Sequence, residues 1–227
     1  MHRDVYVLIP AYNEAPVIRD VLTEVTAVFP NVVCINDGSA DDTAAEIEKT
    51  PAVLINHPFN MGQGAALQTG IDYALQDPEA KYFVTFDSDG QHRLEDVVTM
   101  LPFVETGGYD IALGSRFSGE AENISLLKLL VLKAAVRFSN LTAGVRLTDA
   151  HNGIRVFNRP FAENLRITIP NMAHATEIIH QISDGGYRYV EVPVTVKYTD
   201  YSRAKGQSVF NAVNIAFDVL MNRMTKR

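Results

Sequence analysis

Through its first half this chain alternates short apolar runs with segments of helical period, and that alternation narrows the possible folds more than any other feature. Runs at 5–9, 32–35, 53–56, 81–86 and 110–113 read as strands, and the segments 14–28, 41–49, 64–75 and 94–104 between them read as helices. Short connections between such units argue for an α/β fold, a mostly parallel central sheet with helices on both faces. The strands are rich in Val, Ile and Leu without clean alternation, as burial on both sides requires. With 227 residues, 47% of them apolar, the chain can build a core of that size.

Beyond Gly114 the regularity ends. Residues 115–123 read as a loop, 124–141 as a long helix, 153–158 as a strand and 173–183 as a helix. Residues 187–196 read as one or two strands divided at Pro193, followed by a polar loop at 199–207 and an amphipathic helix at 209–224. In that last helix Phe210, Val213, Phe217 and Leu220 form one apolar stripe, expected to be core. Neither a repeat nor a low-complexity linker interrupts the chain, so a single domain over 1–227 is expected, with halves 1–114 and 115–227. A net charge of −7 without a basic block argues against nucleic acid as a partner. The one cysteine, Cys34, falls in an apolar run and reads as a buried thiol, in keeping with a reducing compartment. No secretory signal or membrane-spanning run is visible; the best candidate, 126–135, is broken by Lys128 and Lys133. A cytoplasmic protein is expected, soluble or peripheral on the inner face of the cytoplasmic membrane. The leucine-rich helix at 124–141 fits a core or oligomer contact better than an interfacial membrane helix.

The polar residues that stand out sit where strands end. Strand one runs into Pro10-Ala11-Tyr12-Asn13-Glu14, strand two into Asn36-Asp37-Gly38-Ser39, strand three into Asn60-Met61-Gly62-Gln63-Gly64, and strand four into Asp87-Ser88-Asp89. Taken singly, each is an ordinary turn or helix start. Together they line one edge of the sheet, the edge at which open α/β sheets bind ligands. In FDSDGQH, Asp87 and Asp89 stand two residues apart with Gln91 two further on. A carboxylate pair delivered by an apolar strand suits a hard divalent cation, and such a cation suits a nucleoside diphosphate. His57, His174 and His180 lack metal-ligand spacing; His151 reads as packing, and His92 as at most a support behind the two carboxylates.

The ordered segments PAYNEAPVI, NDGSADDT, NMGQGAALQTG, FDSDGQH, LGSRF and DAHNGIRVFNR resemble the motifs of the family 2 glycosyltransferases, over about residues 5–208. The chain is most similar to the dolichyl-phosphate mannose synthase-like branch and its bacterial polyprenyl-phosphate relatives, enzymes of cell-envelope glycan biosynthesis. The resemblance implies the GT-A (Rossmann-like) fold, with a nucleotide-sugar-binding half at 1–114 and an elaborated acceptor-side half at 115–227. It implies that Pro10, Tyr12 and Glu14 hold base and ribose and that Asp37 hydrogen-bonds the base. Gly62 and Gly64 then let the backbone run close to the nucleotide, with Ser88 beside it. Asp87, Asp89 and Gln91 hold Mg²⁺ or Mn²⁺ against the diphosphate. Arg116 faces the acceptor or donor phosphate, Asp149 opens the segment near the acceptor, and Glu177 begins a later acidic motif. Arg203, Lys205 and Ser208 match a basic loop near the acceptor. Many enzymes of this branch end in transmembrane helices, which this sequence does not show.

Chemistry fits those assignments. Sugar transfer from a nucleoside diphosphate expels an anion, and a bound cation stabilises it as it forms. A hydroxyl acceptor needs a base, for which Asp149 or Glu177 is available. A phosphate acceptor, with a second pKa of about 6, needs positive charge instead. Arg116, Arg137, Arg155, Arg203 and Lys205 offer it, and arginine binds phosphate bidentately. Asp149 could equally pair with Arg155 and do no chemistry. The expectation is a metal-dependent, inverting glycosyltransferase using a UDP- or GDP-linked sugar, with Asp89, Asp149, Glu177 and Arg116 as catalytic candidates. The preferred acceptor is a polyprenyl phosphate, with a glycan or protein hydroxyl as the alternative. A small membrane-protein partner and a homo-oligomer are both compatible with this reading. A sugar-1-phosphate nucleotidyltransferase would carry a Gly-rich basic loop after strand one, where this chain has PAYNE. A non-catalytic nucleotide-sugar-binding subunit is the remaining alternative.

Overall fold

The computed structural model describes residues 2–116, 121–122, 136–137, 140, 144–149, 152–170 and 173–197. The alternation of the first half becomes β1 (Val5–Ala11), α1 (Ile18–Val28), β2 (Asn31–Asn36), α2 (Thr43–Ile47), β3 (Val53–Asn56), α3 (Gln63–Ala74), β4 (Tyr82–Thr85), α4 (Leu94–Glu105) and β5 (Ile111–Ser115). The second half adds β6 (Ala121–Glu122), β7 (Arg155–Asn158), α5 (Arg159–Asn164), α6 (His174–Asp184), β8 (Tyr189–Pro193) and β9 (Val196–Lys197).

Among the described residues, seven strands form one sheet in the order β3-β2-β1-β4-β7-β5-β8. β1 pairs in parallel with β2 on one side and β4 on the other, so the strand order reverses at β1 and β4. A crevice opens outside the strand carboxyl ends at such a reversal, and here Tyr12 and Asp87 leave the sheet. β7 is antiparallel to both β4 and β5. Because it runs the other way, its first residue, Arg155, opposite Thr85 and Leu113, lies at the same edge where β4 and β5 end.

Two apolar clusters cover the sheet. On one face α1 and α4 pack Leu22, Val25, Val97 and Met100 on Val7, Ile9, Val84 and Val156. On the other, α3, α5 and α6 pack Leu67, Ile71, Phe161 and Ile178 on Leu8, Ile35, Phe83 and Phe157. Both faces are therefore dry, which explains strands without a polar side. Cys34 is fully buried, as its apolar run implies.

The fold departs from expectation in three places. α1 begins at Ile18 rather than near 14, because Val17 and Ile18 both donate to the Glu14 carbonyl in a preceding turn. α5 was not expected, although Asn158 caps it by accepting from Phe161 N at 2.9 Å and Pro160 sits in its first turn. Within the expected loop at 115–123, Ala121 and Glu122 pair with Val196 and Lys197 as β6 and β9. Val136 is buried in the second cluster, which favours packing for that part of the helix expected at 124–141. His151, the loop at 199–207 with Arg203 and Lys205, Ser208 and the helix expected at 209–224 lie outside the described residues. No helix among the described residues is long and apolar enough to cross a membrane.

Candidate active site

The loops leaving β1, β2 and β3 are tied into one platform. Asn13, at φ +53°, donates its backbone N–H to Ser39 Oγ at 2.9 Å and accepts from Ala40 N at 2.9 Å through Oδ1. Glu14 N donates to Thr43 Oγ1 at 2.8 Å. Asn36 Nδ2 donates to Asn56 Oδ1 at 2.8 Å. Asp37, only 3% exposed, accepts from Met61 N, Gly62 N and His57 Nδ1, each at 2.8 Å. His57 thus belongs to the platform, with Nε2 3.0 Å from Thr69 Oγ1. Asp37 sets the course of the loop that starts α3. Pro10 is buried in β1, Glu14 is buried beside it, and Tyr12 stands 44% exposed at the rim.

Gly64 has a reason to be glycine within the fold itself. A Cβ there would lie 2.2 Å from the Ile169 carbonyl oxygen, and its N–H donates to Pro170 O at 2.6 Å. The start of α3 is seated on the segment before α6. Glu177 holds that segment: its carboxylate accepts from Thr168 N and Ile169 N, each at 2.9 Å, and from the Thr168 hydroxyl. Offered by the sequence as a base, Glu177 is placed as a backbone tie.

Asp87 and Asp89 follow β4, with Ser88 buried between them. Asp87 accepts from His92 Nε2 at 2.8 Å and from Gln63 Nε2 at 3.2 Å. Gly153 faces this carboxylate so closely that a Cβ would sit 2.0 Å from Oδ2. The carbonyl of Gly153 accepts from Thr85 Oγ1 at 2.6 Å, which locks the entry to β7 against the end of β4. Burial works to raise the Asp87 pKa, but the hydrogen bond and charge of His92 and the fields of Arg155 and His174 outweigh it and hold the carboxyl below the usual range. Asp89 goes the other way, pushed up to about 6 by burial and by the charge of Asp87. Gln91 N donates to Asp89 Oδ1 at 3.1 Å, and Gln91 O accepts from Lys197 N in β9 at 2.9 Å.

Arg155 is 3% exposed, and its pKa falls to about 10 through burial, opposed by the charges of Asp87 and Asp149. It remains a cation at neutral pH, covered rather than reaching outward. Among the described residues Asp149 is ion-paired with Arg116, Oδ2 accepting from Arg116 Nε at 2.6 Å and from Arg116 N at 3.1 Å, while Arg155 feels its charge without a hydrogen bond to it. Asp149 is itself 3% exposed.

The structure therefore gathers Asp87, Asp89, Arg155, Asp149 and Arg116 at one edge, with Glu14 and Asp37 in the adjoining loops. Sequence reading gave Gln63 and Gly153 no role of their own, set His57 and His174 aside for lack of metal-ligand spacing, and gave His92 at most a supporting part. The signal for Gly153 was its place in NGIR at the start of a strand; its neighbour across the sheet needed the antiparallel direction of β7.

The donor set fits a hard dication. Among the described residues no three His, Cys, Asp or Glu side chains form a complete metal cage. Two carboxylates, one of them raised to about 6 by burial and by the charge of the other, form half a site; the further oxygen ligands such an ion takes are the kind a diphosphate carries.

Residues 6–166 match the family model described as glycosyl transferase family 2. The chain belongs to that family. A family 2 glycosyltransferase moves sugar, which decides against the nucleotidyltransferase alternative. Its relatives include an uncharacterised protein of Methanocaldococcus jannaschii, 31% identical over 97% of this chain and 93% of that one. Another is the UDP-N-acetylglucosamine–dolichyl-phosphate N-acetylglucosaminyltransferase of Methanococcus voltae, 28% identical over 98% of this chain and 97% of that one. A third is the polyprenol monophosphomannose synthase of Mycolicibacterium smegmatis, 28% identical over 92% and 82%. Among solved structures, glucosyl-3-phosphoglycerate synthase of Mycobacterium tuberculosis with Mn²⁺ and UDP-glucose superposes with a TM-score of 0.73 at 16% identity, covering 99% of this chain and 79% of that one. The fold of this family 2 enzyme is thus GT-A.

Proposed function

We propose that this glycosyltransferase is metal-dependent and inverting, and that it transfers a sugar from a UDP- or GDP-sugar to a polyprenyl phosphate. The observation that carries the reading is the meeting, at one sheet edge, of the Asp87 and Asp89 pair with the Arg116–Asp149 pair and the buried Arg155. The relatives named as a dolichyl-phosphate N-acetylglucosaminyltransferase and a polyprenol monophosphomannose synthase, matched over 97% and 82% of their length, support the acceptor class. The Mn²⁺ and UDP-glucose in a protein of the same fold support the donor and the metal.

Asp87 and Asp89, with Gln91, would hold Mg²⁺ or Mn²⁺, which when bound would supply positive charge to the departing diphosphate. The chain supplies the rest. His92 and Gln63 fix Asp87, and Gly153 leaves room for it. Asp37 shapes the loop past which the nucleotide lies, between Tyr12 and Gly62. Arg155 lowers the cost of gathering carboxylates and phosphates in a dry corner. Arg116, oriented through Nε by Asp149, holds the acceptor phosphate, whose oxygen is already ionised enough to attack without a base. Attack opposite the leaving diphosphate inverts the anomeric carbon. Asp149 and Glu177 then act as holders of Arg116 and of the α3 platform, not as bases.

Both halves, 1–114 and 115–227, act as a single domain in this reading, since β7 and β8 share the sheet of the first half. The enzyme works at the inner membrane face, where its acceptor lies. The test is a transfer assay with UDP- and GDP-sugars and Mn²⁺ against polyprenyl phosphate, polyprenol and an oligosaccharide. Transfer to the phosphate alone, with inverted linkage, is expected; preference for either hydroxyl acceptor overturns the acceptor reading, and donor binding without turnover favours a non-catalytic subunit.

A further inference from the structure

Glu191 stands on β8, opposite Leu113 of β5, and belongs to no motif that the sequence singles out. Its carboxylate gathers the donors of two consecutive residues. Oε1 accepts from Thr148 N at 2.9 Å, Thr148 Oγ1 at 3.0 Å and Asp149 N at 2.9 Å, and Oε2 accepts from Thr148 N at 2.8 Å. Two residues earlier on the same strand, Tyr189 Oη accepts from Arg146 N at 3.2 Å. Strand β8 thus holds the segment that delivers Asp149 at two points. From there the chain of contacts goes straight to the site, because Asp149 Oδ2 accepts both Nε and the backbone N of Arg116. Thr148 adds a cross-tie, its hydroxyl 2.7 Å from Ser115 Oγ, next to Arg116.

We infer that Glu191 is a positioning residue for phosphate recognition, acting through Asp149 to fix the Arg116 guanidinium. This rests on the proposed role of Arg116 toward the acceptor phosphate. A carboxylate is well suited to the place, since it accepts several backbone and hydroxyl donors at once and carries charge that strengthens each bond. A guanidinium held in one orientation binds phosphate with less ordering cost than one that is not. Misplacement by about 1 Å is enough to cost up to about a hundredfold in rate.

Three variants decide it. Glu191→Ala removes every acceptor; Glu191→Gln keeps an oxygen at the Oε1 position, where three of the contacts fall. Glu191→Asp withdraws the carboxylate by one methylene and serves if the Ala variant does not fold. For Glu191→Ala, or Glu191→Asp in its place, the acceptor KM rises about tenfold or more while the donor KM stays within about twofold, and Glu191→Gln recovers to within about threefold. A second readout needs no substrate. The Arg116 Nε–H resonance, assigned by its loss in Arg116→Lys, exchanges with solvent at least about tenfold faster in Glu191→Ala or Glu191→Asp. A folded Glu191→Ala or Glu191→Asp protein with unchanged Nε–H exchange overturns the inference, as does an equal rise in donor and acceptor KM. If the unaltered protein shows no transfer to polyprenyl phosphate, the acceptor reading fails, and the exchange measurement still decides whether Glu191 orients Arg116.

Discussion

Asp87 and Asp89 are two residues apart and electrostatically opposite. His92, Arg155 and His174 overcome the burial of Asp87 and keep it ionised, whereas burial and the charge of Asp87 raise Asp89 to about 6. The sign follows directly. A carboxyl raised on folding favours the protonated folded state, so Asp89 lowers stability as pH rises from its ordinary value through about 6. A cation must displace that proton. Mn²⁺ affinity measured by calorimetry is therefore constant above about pH 6 and falls roughly tenfold per pH unit below it. An affinity flat from pH 7 to pH 5 contradicts this assignment. Gly153 supplies a second residue-scale prediction. Its missing Cβ is the space occupied by the Asp87 carboxylate, so Gly153→Ala displaces Asp87 from His92. Mn²⁺ affinity should drop at least about tenfold, as when a metal ligand loses its support, with the circular dichroism spectrum unchanged.

At the scale of elements, the start of α3 rests on the segment before α6, and Glu177 holds that segment through three hydrogen bonds. Glu177→Ala leaves the N–H groups of Thr168 and Ile169 without this acceptor and should destabilise the protein by about 2–4 kcal/mol in urea unfolding. Were Glu177 a base, kcat would fall with no such loss. The elements themselves were largely legible, because the apolar runs and helical periods of the first half are strong local signals. α5 was missed despite an Asn158 cap and a Pro160 start, since six residues carry too little periodicity to stand out. The Asp87 and Asp89 pair could be read from local spacing. The Asp149 partner could not be: Arg116 and Asp149 meet only because β5 and the start of β7 end at one edge, and strand direction is not written in any short window.

Over the whole molecule, a strand from the second half enters the middle of the first half's sheet, and its reversed direction returns Arg155 and Gly153 to the edge where β4 ends. Donor and metal binding should therefore stabilise the entire sheet. At a donor concentration about 100-fold above Kd, with Mn²⁺ present, mass action adds about 2.7 kcal/mol, a rise of roughly 5–10 °C in Tm, and the shift should largely vanish in EDTA. The donor base that produces it, uridine or guanosine, identifies the nucleotide without knowledge of the acceptor. The central claim is that the Asp87 and Asp89 corner holds a dication against the departing diphosphate. Titrating Mn²⁺ in the presence of nucleoside diphosphate, with free ion followed by electron paramagnetic resonance, tests it in wild type and Asp89→Ala. Binding of about one Mn²⁺ per wild-type chain, weakened at least about a hundredfold in a folded Asp89→Ala protein that no longer transfers sugar, is the predicted result; equal binding by both proteins, or transfer that persists in EDTA, contradicts it.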